Sequence, residues 1–111
     1  MVIKNDSRSE LIYIYREGDD YVAISYSTEL EAWIMHVDLK KWSVSEYKRY
    51  LKVFKVIKEE LGKLTPYVLS LCRTKKEFKF NKCFGFKDTG LVAIDPTGEL
   101  SRIARLELWE R

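Results

Sequence analysis

The stretch Thr74-Lys75-Lys76-Glu77-Phe78-Lys79-Phe80-Asn81-Lys82-Cys83-Phe84-Gly85-Phe86 decides how this chain is read. Thr74 followed three residues later by Glu77 has the form of a capping box, in which each side chain satisfies a backbone N–H of the other's residue and so starts a helix. Phe78 and Phe80 give that short helix its packing face. Gly85 supplies a left-handed residue without steric penalty and stops it, so that Phe86 opens a strand. Upstream, Thr65-Pro66 breaks the chain before Tyr67-Val68-Leu69-Ser70-Leu71-Cys72, a nearly continuous apolar run of the kind found in strands covered on both faces. Downstream, strands at about Phe86 to Asp95 and Leu100 to Trp109 are joined by Pro96-Thr97-Gly98, whose residues suit a tight reversal.

Further from this segment the period changes. Val44, Tyr47, Leu51, Phe54, Ile57 and Leu61 recur every three or four residues and predict one long helix over Ser43 to Leu61. Ser43-Val44-Ser45-Glu46 reads as a second capping box, and Gly62 stands where a helix stop is expected. Before it, Leu11 to Tyr15, Tyr21 to Tyr26 and Glu31 to Asp38 read as three strands, the first two joined through Gly18-Asp19-Asp20 as an antiparallel hairpin. Residues 1–10 read as a flexible N-terminus and residues 11–111 as a single domain. The predicted order is β-β-β-α-β-α-β-β, an α+β domain with a mixed sheet covered by helices.

At 111 residues the chain suffices for one core, and 46% hydrophobic with 14% aromatic residues supplies the apolar surface to fold it. No run approaches the length of a membrane span, and the first residues lack the apolar core of a signal peptide, so a cytoplasmic protein without membrane contact is expected. Cys72 and Cys83 form neither a CxxC motif nor a disulfide framework. With one histidine in the chain no metal site is expected. Cys72 reads as a core residue. The net charge of +3 is unevenly spread: residues 40–82 hold 13 Lys or Arg against 4 Asp or Glu, and the flanks are acidic.

The element order and the Thr74 to Phe86 segment resemble the N-acetyltransferases of the GNAT fold, whose late helix and strand are commonly written N-x-x-A-x-x-F-Y-x-x-x-G-F. The resemblance spans roughly residues 20–109, with its sequence-specific part in that one segment. It implies a splayed cleft for an acyl coenzyme A, a glycine-bearing pyrophosphate turn before the long helix, and a tyrosine that protonates the departing thiolate. This sequence departs from the pattern at both places. Asp38-Leu39-Lys40-Lys41-Trp42-Ser43-Val44-Ser45-Glu46 contains no glycine, so side chains obstruct the close backbone approach to phosphate. Asn81 stands where the resemblance puts the acid, and an amide has no proton to give.

Two substitutes are legible. Lys40 and Lys41, with the Ser43 helix terminus behind them, are the residues that would hold coenzyme A phosphates if it binds. His36 shares strand parity with Ala32, Ile34 and Asp38, and reads either as a base facing the cleft or as a satisfied sheet histidine. Glu29 and Glu31 read as solvated, and Cys83 has no histidine partner for covalent chemistry.

The first functional expectation is therefore a non-catalytic GNAT-like protein that needs no cofactor and binds a macromolecular partner, in the manner of a small accessory protein of a virus or mobile element working in the host cytoplasm. Trp33, Trp42 and Trp109 are candidate anchors for a protein partner. The alternative is a divergent acetyltransferase using acetyl coenzyme A. The third is nucleic-acid binding through an anionic-partner surface of Lys48, Lys52, Lys55, Lys75, Lys79 and Lys82. Strands exposed at one sheet edge leave homodimerisation open.

Overall fold

Alternating β-branched and aromatic residues on either side of two short turns build the first half of the sheet. In the computed structural model, which describes residues 2–4, 11–40 and 43–109, strands β2 (Ile12–Glu17), β3 (Asp20–Ser27) and β4 (Ala32–Asp38) form an antiparallel meander. The β3–β4 ladder runs unbroken from Tyr21↔Asp38 to Ser27↔Ala32. Helix α1 (Val44–Gly62) follows, then β5 (Tyr67–Cys72), helix α2 (Lys75–Cys83) and the hairpin of β6 (Lys87–Ile94) and β7 (Leu100–Glu107).

One element precedes all of these. Val2–Lys4 forms β1, which pairs in parallel with β6 through Val2↔Val92, Ile3↔Ala93 and Lys4↔Ile94. This corrects the expected order, which began at Leu11. Three residues carry too little periodicity to announce a strand, and their partner lies some ninety positions away. The result is an α+β domain with a seven-stranded mixed sheet in the order β1-β6-β7-β5-β4-β3-β2.

Both helices lie on the same face of this sheet. Tyr50, Phe54, Ile57 and Leu61 of α1 and Phe78 of α2 join Val22, Ile24, Met35, Val68, Cys72, Ala104 and Leu106 in the larger core. Phe84 fills the space between the helices, with ring centroids 4.8 Å from Phe54 and 5.1 Å from Phe80. The opposite face holds a smaller cluster of Ala32, Ile34, Leu69, Ala93 and Ile103. No described helix is long and apolar enough to cross a membrane.

The helix ends follow the chemistry of their residues, with two differences. Thr74 and Glu77 make the complete capping box, Thr74 Oγ1 accepting from the Glu77 N–H while the Glu77 carboxylate accepts from the Thr74 N–H. At α1 only half of the box forms. Ser43 Oγ accepts from the Glu46 N–H at 3.2 Å, but the Glu46 carboxylate turns to Arg49 at 2.8 Å, a charged donor that competes with the backbone amide. Gly62 is not the stop: α1 runs through it, and Lys63 caps the helix in right-handed geometry. Gly85 does leave α2 with a positive φ of 97°. The turn after β6 is held by Asp95, whose Oδ1 accepts from the Thr97 and Glu99 N–H groups and the Thr97 hydroxyl.

Candidate functional site

β4 and β5 are parallel neighbours because α1 carries the chain back across the sheet between them. They share a single ladder pair, Ile34↔Leu69. Beyond it the strands part toward their C-terminal ends, and the gap is a cleft of about 770 Å³. His36 and Asp38 line it from β4, Ser70 and Leu71 from β5, and Lys76, Phe80 and Asn81 from α2, with the Asp95-Pro96 turn at the rim. A cleft at the carboxyl ends of parallel strands is where ligands enter open sheets that contain them.

His36 lies on the face of the sheet away from the helices, opposite Ala23 in the ladder. Its Nε2 is 2.8 Å from Ser25 Oγ. Burial pushes its pKa below the ordinary histidine value, so the ring is neutral at neutral pH. The sequence left open whether this histidine faces the cleft or is satisfied within the sheet, and the geometry has it doing both.

Asn81 enters from the helix face. Its side chain is buried at 7% exposure, and the amide nitrogen donates to Ser70 Oγ and to Cys72 Sγ, each at 2.9 Å. The Cys72 thiol, a core group as expected, is pushed up by burial and so stays protonated. Asn81 thus pins the last turn of α2 to β5. The sequence held no signal for its partners, because a serine eleven and a cysteine nine positions earlier on a strand read as ordinary core residues.

The residues expected to hold phosphate are engaged elsewhere. The Lys40 backbone N–H donates to Asp20 Oδ1 at 2.7 Å, and its ammonium pairs with Asp38 at 2.8 Å. That pairing raises the Lys40 pKa, and the carboxylate offsets the charge an anion would meet. Ser43 spends its hydroxyl on the cap. Lys41 and Trp42 lie outside the described residues.

A polar hub beside this loop was not foreseen. Tyr50 OH donates to Asp20 Oδ2 at 2.9 Å, and burial followed by that carboxylate pushes the Tyr50 pKa up to about 12. Arg49 stacks over the Tyr50 ring at 4.7 Å and reaches Tyr15, Glu17 and Glu46, tying α1 to β2 and β3. In sequence Asp20 reads as a turn residue, Tyr15 as a strand residue and Glu46 as part of a capping box, with nothing to join them.

The six lysines of the expected anionic-partner surface are all exposed, but they do not form one patch. Lys48, Lys52 and Lys55 line α1, whereas Lys82 of α2 folds over the Phe78 ring at 4.7 Å, beside Arg102. Trp33 packs edge-on to Tyr26 and is half-buried against the main core, and Trp109 is 61% exposed. Comparison with protein-family models, with curated proteins and with solved structures finds no match for this chain.

Proposed function

We propose that this chain is a non-catalytic domain of GNAT-like organisation that acts by binding a macromolecular partner. The observation that carries this reading is the engagement of Asn81, buried and donating to both Ser70 and Cys72 at the position where the resemblance calls for a proton donor. The phosphate-holding candidates point the same way, since Lys40 is committed through its N–H to Asp20 and through its ammonium to Asp38. The likeness itself is supported by the parallel β4–β5 neighbours that part after one ladder pair, with a helix crossing between them.

One observation favours the second reading, a divergent acyl-coenzyme A transferase. The cleft is open, and a neutral His36 lines it in the protonation state a general base requires. Titration calorimetry with acetyl coenzyme A separates the two. The binding-domain reading expects no heat at millimolar ligand, and saturable binding in the micromolar range sinks it in favour of the enzyme.

A further inference from the structure

On the helix-covered side of the sheet, away from the β4–β5 cleft, a groove of about 490 Å³ runs between α1, the end of α2 and the end of β7. Its floor is apolar, made by Leu51, Phe54, Phe84 and Leu108. Leu51 stands 40% exposed in it, although Tyr50, Phe54, Ile57 and Leu61 of the same helix are buried and Leu51 was expected to join them. Lys55 and Lys58 line its rim against one carboxylate, Glu59. Beyond the lining itself, Lys48 stands two turns before Lys55 on α1 and Lys79 one turn before Cys83 on α2, both exposed. Among the described residues none of these four lysines has a salt-bridge partner, whereas Lys40, Arg49 and Lys63 all do.

We propose that this groove docks an acidic amphipathic helix of a partner protein, an assignment that rests on the binding-domain reading and gives the partner its chemistry. An apolar strip between two helices accepts side chains spaced at i, i+3 or i+4 and i+7 on a third. Unpaired lysines along both margins favour aspartate and glutamate flanking that strip, and repel a basic helix of the same shape. Nucleic acid fits less well. Phe54 and Phe84, the two rings that line the groove, are each 5% exposed and packed on one another at a tilt, so neither is presented to a base. A phosphate backbone would also cover Leu51 without any apolar group to place against it.

The test is selection of a phage-displayed library of random helical peptides against the full chain. Recovered peptides are then synthesised and measured by fluorescence anisotropy against the unaltered chain, Leu51→Glu, the double variant Lys55→Glu with Lys58→Glu, and Val56→Glu. Val56 is 58% exposed and does not line this groove, so its variant controls for charge on α1. Cys83 lines the groove with an exposed thiol while Cys72 is buried, so iodoacetamide labelling reports occupancy directly. The expected peptides are acidic and amphipathic. They bind at least tenfold more weakly to Leu51→Glu and to the double lysine variant, within twofold of normal to Val56→Glu, and slow Cys83 labelling at saturation. Recovery of no peptide above background, peptides without acidic bias, or affinity indifferent to Leu51→Glu overturns the groove assignment. So does a 20-nucleotide duplex that protects Cys83 and is weakened by the lysine variant but not by Leu51→Glu. Peptides that bind but ignore the groove variants leave the binding-domain reading standing. Micromolar acetyl coenzyme A binding removes that reading whatever the peptides do.

Discussion

The Tyr50 hydroxyl donates to the Asp20 carboxylate at 2.9 Å, joining α1 to β3. Asp20 is 8% exposed, and it also accepts the Lys40 N–H, so this one carboxylate joins the start of β3 to the chain just after β4 and to the N-terminal half of α1. Removing the hydroxyl in Tyr50→Phe leaves a buried carboxylate short of one donor, with an expected loss of about 1–3 kcal/mol in urea denaturation at pH 7. The pH dependence has a definite sign. A folded-state pKa of about 12 lies above the ordinary tyrosine value of 10.0, so the contribution is complete below pH 10 and fades as pH rises toward 12. Tyr50→Phe should therefore lose the part of the alkaline decline that the parent shows between those limits. A decline unchanged in the variant would mean that other groups carry it.

His36 sets the acid side. Burial lowers its pKa from the ordinary 6.5, so the neutral ring is the form the fold prefers. Its contribution to stability is present above pH 6.5 and is lost as pH falls through the lower folded value. It is the chain's only histidine, so a single imidazole resonance reports the titration without assignment. That resonance should titrate below the value in the unfolded chain, and His36→Gln should flatten the decline in stability from pH 7 to pH 5. A titration at or above 6.5 would contradict the buried, Ser25-bonded ring.

Asn81 offers a test of whether its amide is structural. Asn81→Ala removes the donor shared by Ser70 and Cys72 and leaves a small void, at an expected cost of about 1–3 kcal/mol in thermal or denaturant unfolding. Asn81→Asp should cost more at pH 7, because the charge would sit in a place now 7% exposed with a hydroxyl and a thiol for company. If Asn81→Ala is neutral within a few tenths of a kcal/mol by the usual scatter of surface changes, the clasp between α2 and β5 is not what the residue contributes.

What the sequence disclosed and what it hid divide along a physical line. The Thr74 capping box, the Gly85 exit and the Asp95–Glu99 reversal were legible because their partners sit within five residues and their geometry follows from residue type. The apolar run of β5 was legible and the period of α1 only in part: Phe54, Ile57 and Leu61 are buried as the spacing predicts, but Val44 is 76% and Leu51 40% exposed, and the buried Tyr50 was not among the predicted residues. β1 was not legible, since a three-residue edge strand is specified by β6 rather than by itself. The site divides in the same way. The cleft-facing parity of His36 could be read, whereas the commitments of Asn81 to Ser70 and Cys72, of Lys40 to Asp20, and of Arg49 to Tyr15 and Glu17 are pairings over nine or more positions that no local pattern encodes.

The two glycines that bracket α1 and α2 at their C-terminal ends look alike in sequence and should respond in opposite directions to alanine. Gly85 has a φ of 97°, and a Cβ there would stand 3.3 Å from Leu106 Cδ1, so Gly85→Ala meets both a backbone penalty and a crowded core side chain. A loss of about 1 kcal/mol or more is expected from the positive φ alone. Gly62 is a helical residue, and a Cβ there would find its neighbours, the Leu108 carbonyl and the Trp109 ring edge, at 3.7 Å or more, which is ordinary contact. Its carbonyl accepts from Trp109 Nε1 at 2.7 Å, an acceptor that alanine preserves. Gly62→Ala should therefore stabilise the protein by about 0.5–1 kcal/mol, as helix propensity and the stiffer unfolded chain dictate. Thermal unfolding of the two variants side by side decides the point. A loss of stability at Gly62 would mean that the close passage of the β7 end over α1 is tighter than the contacts here allow.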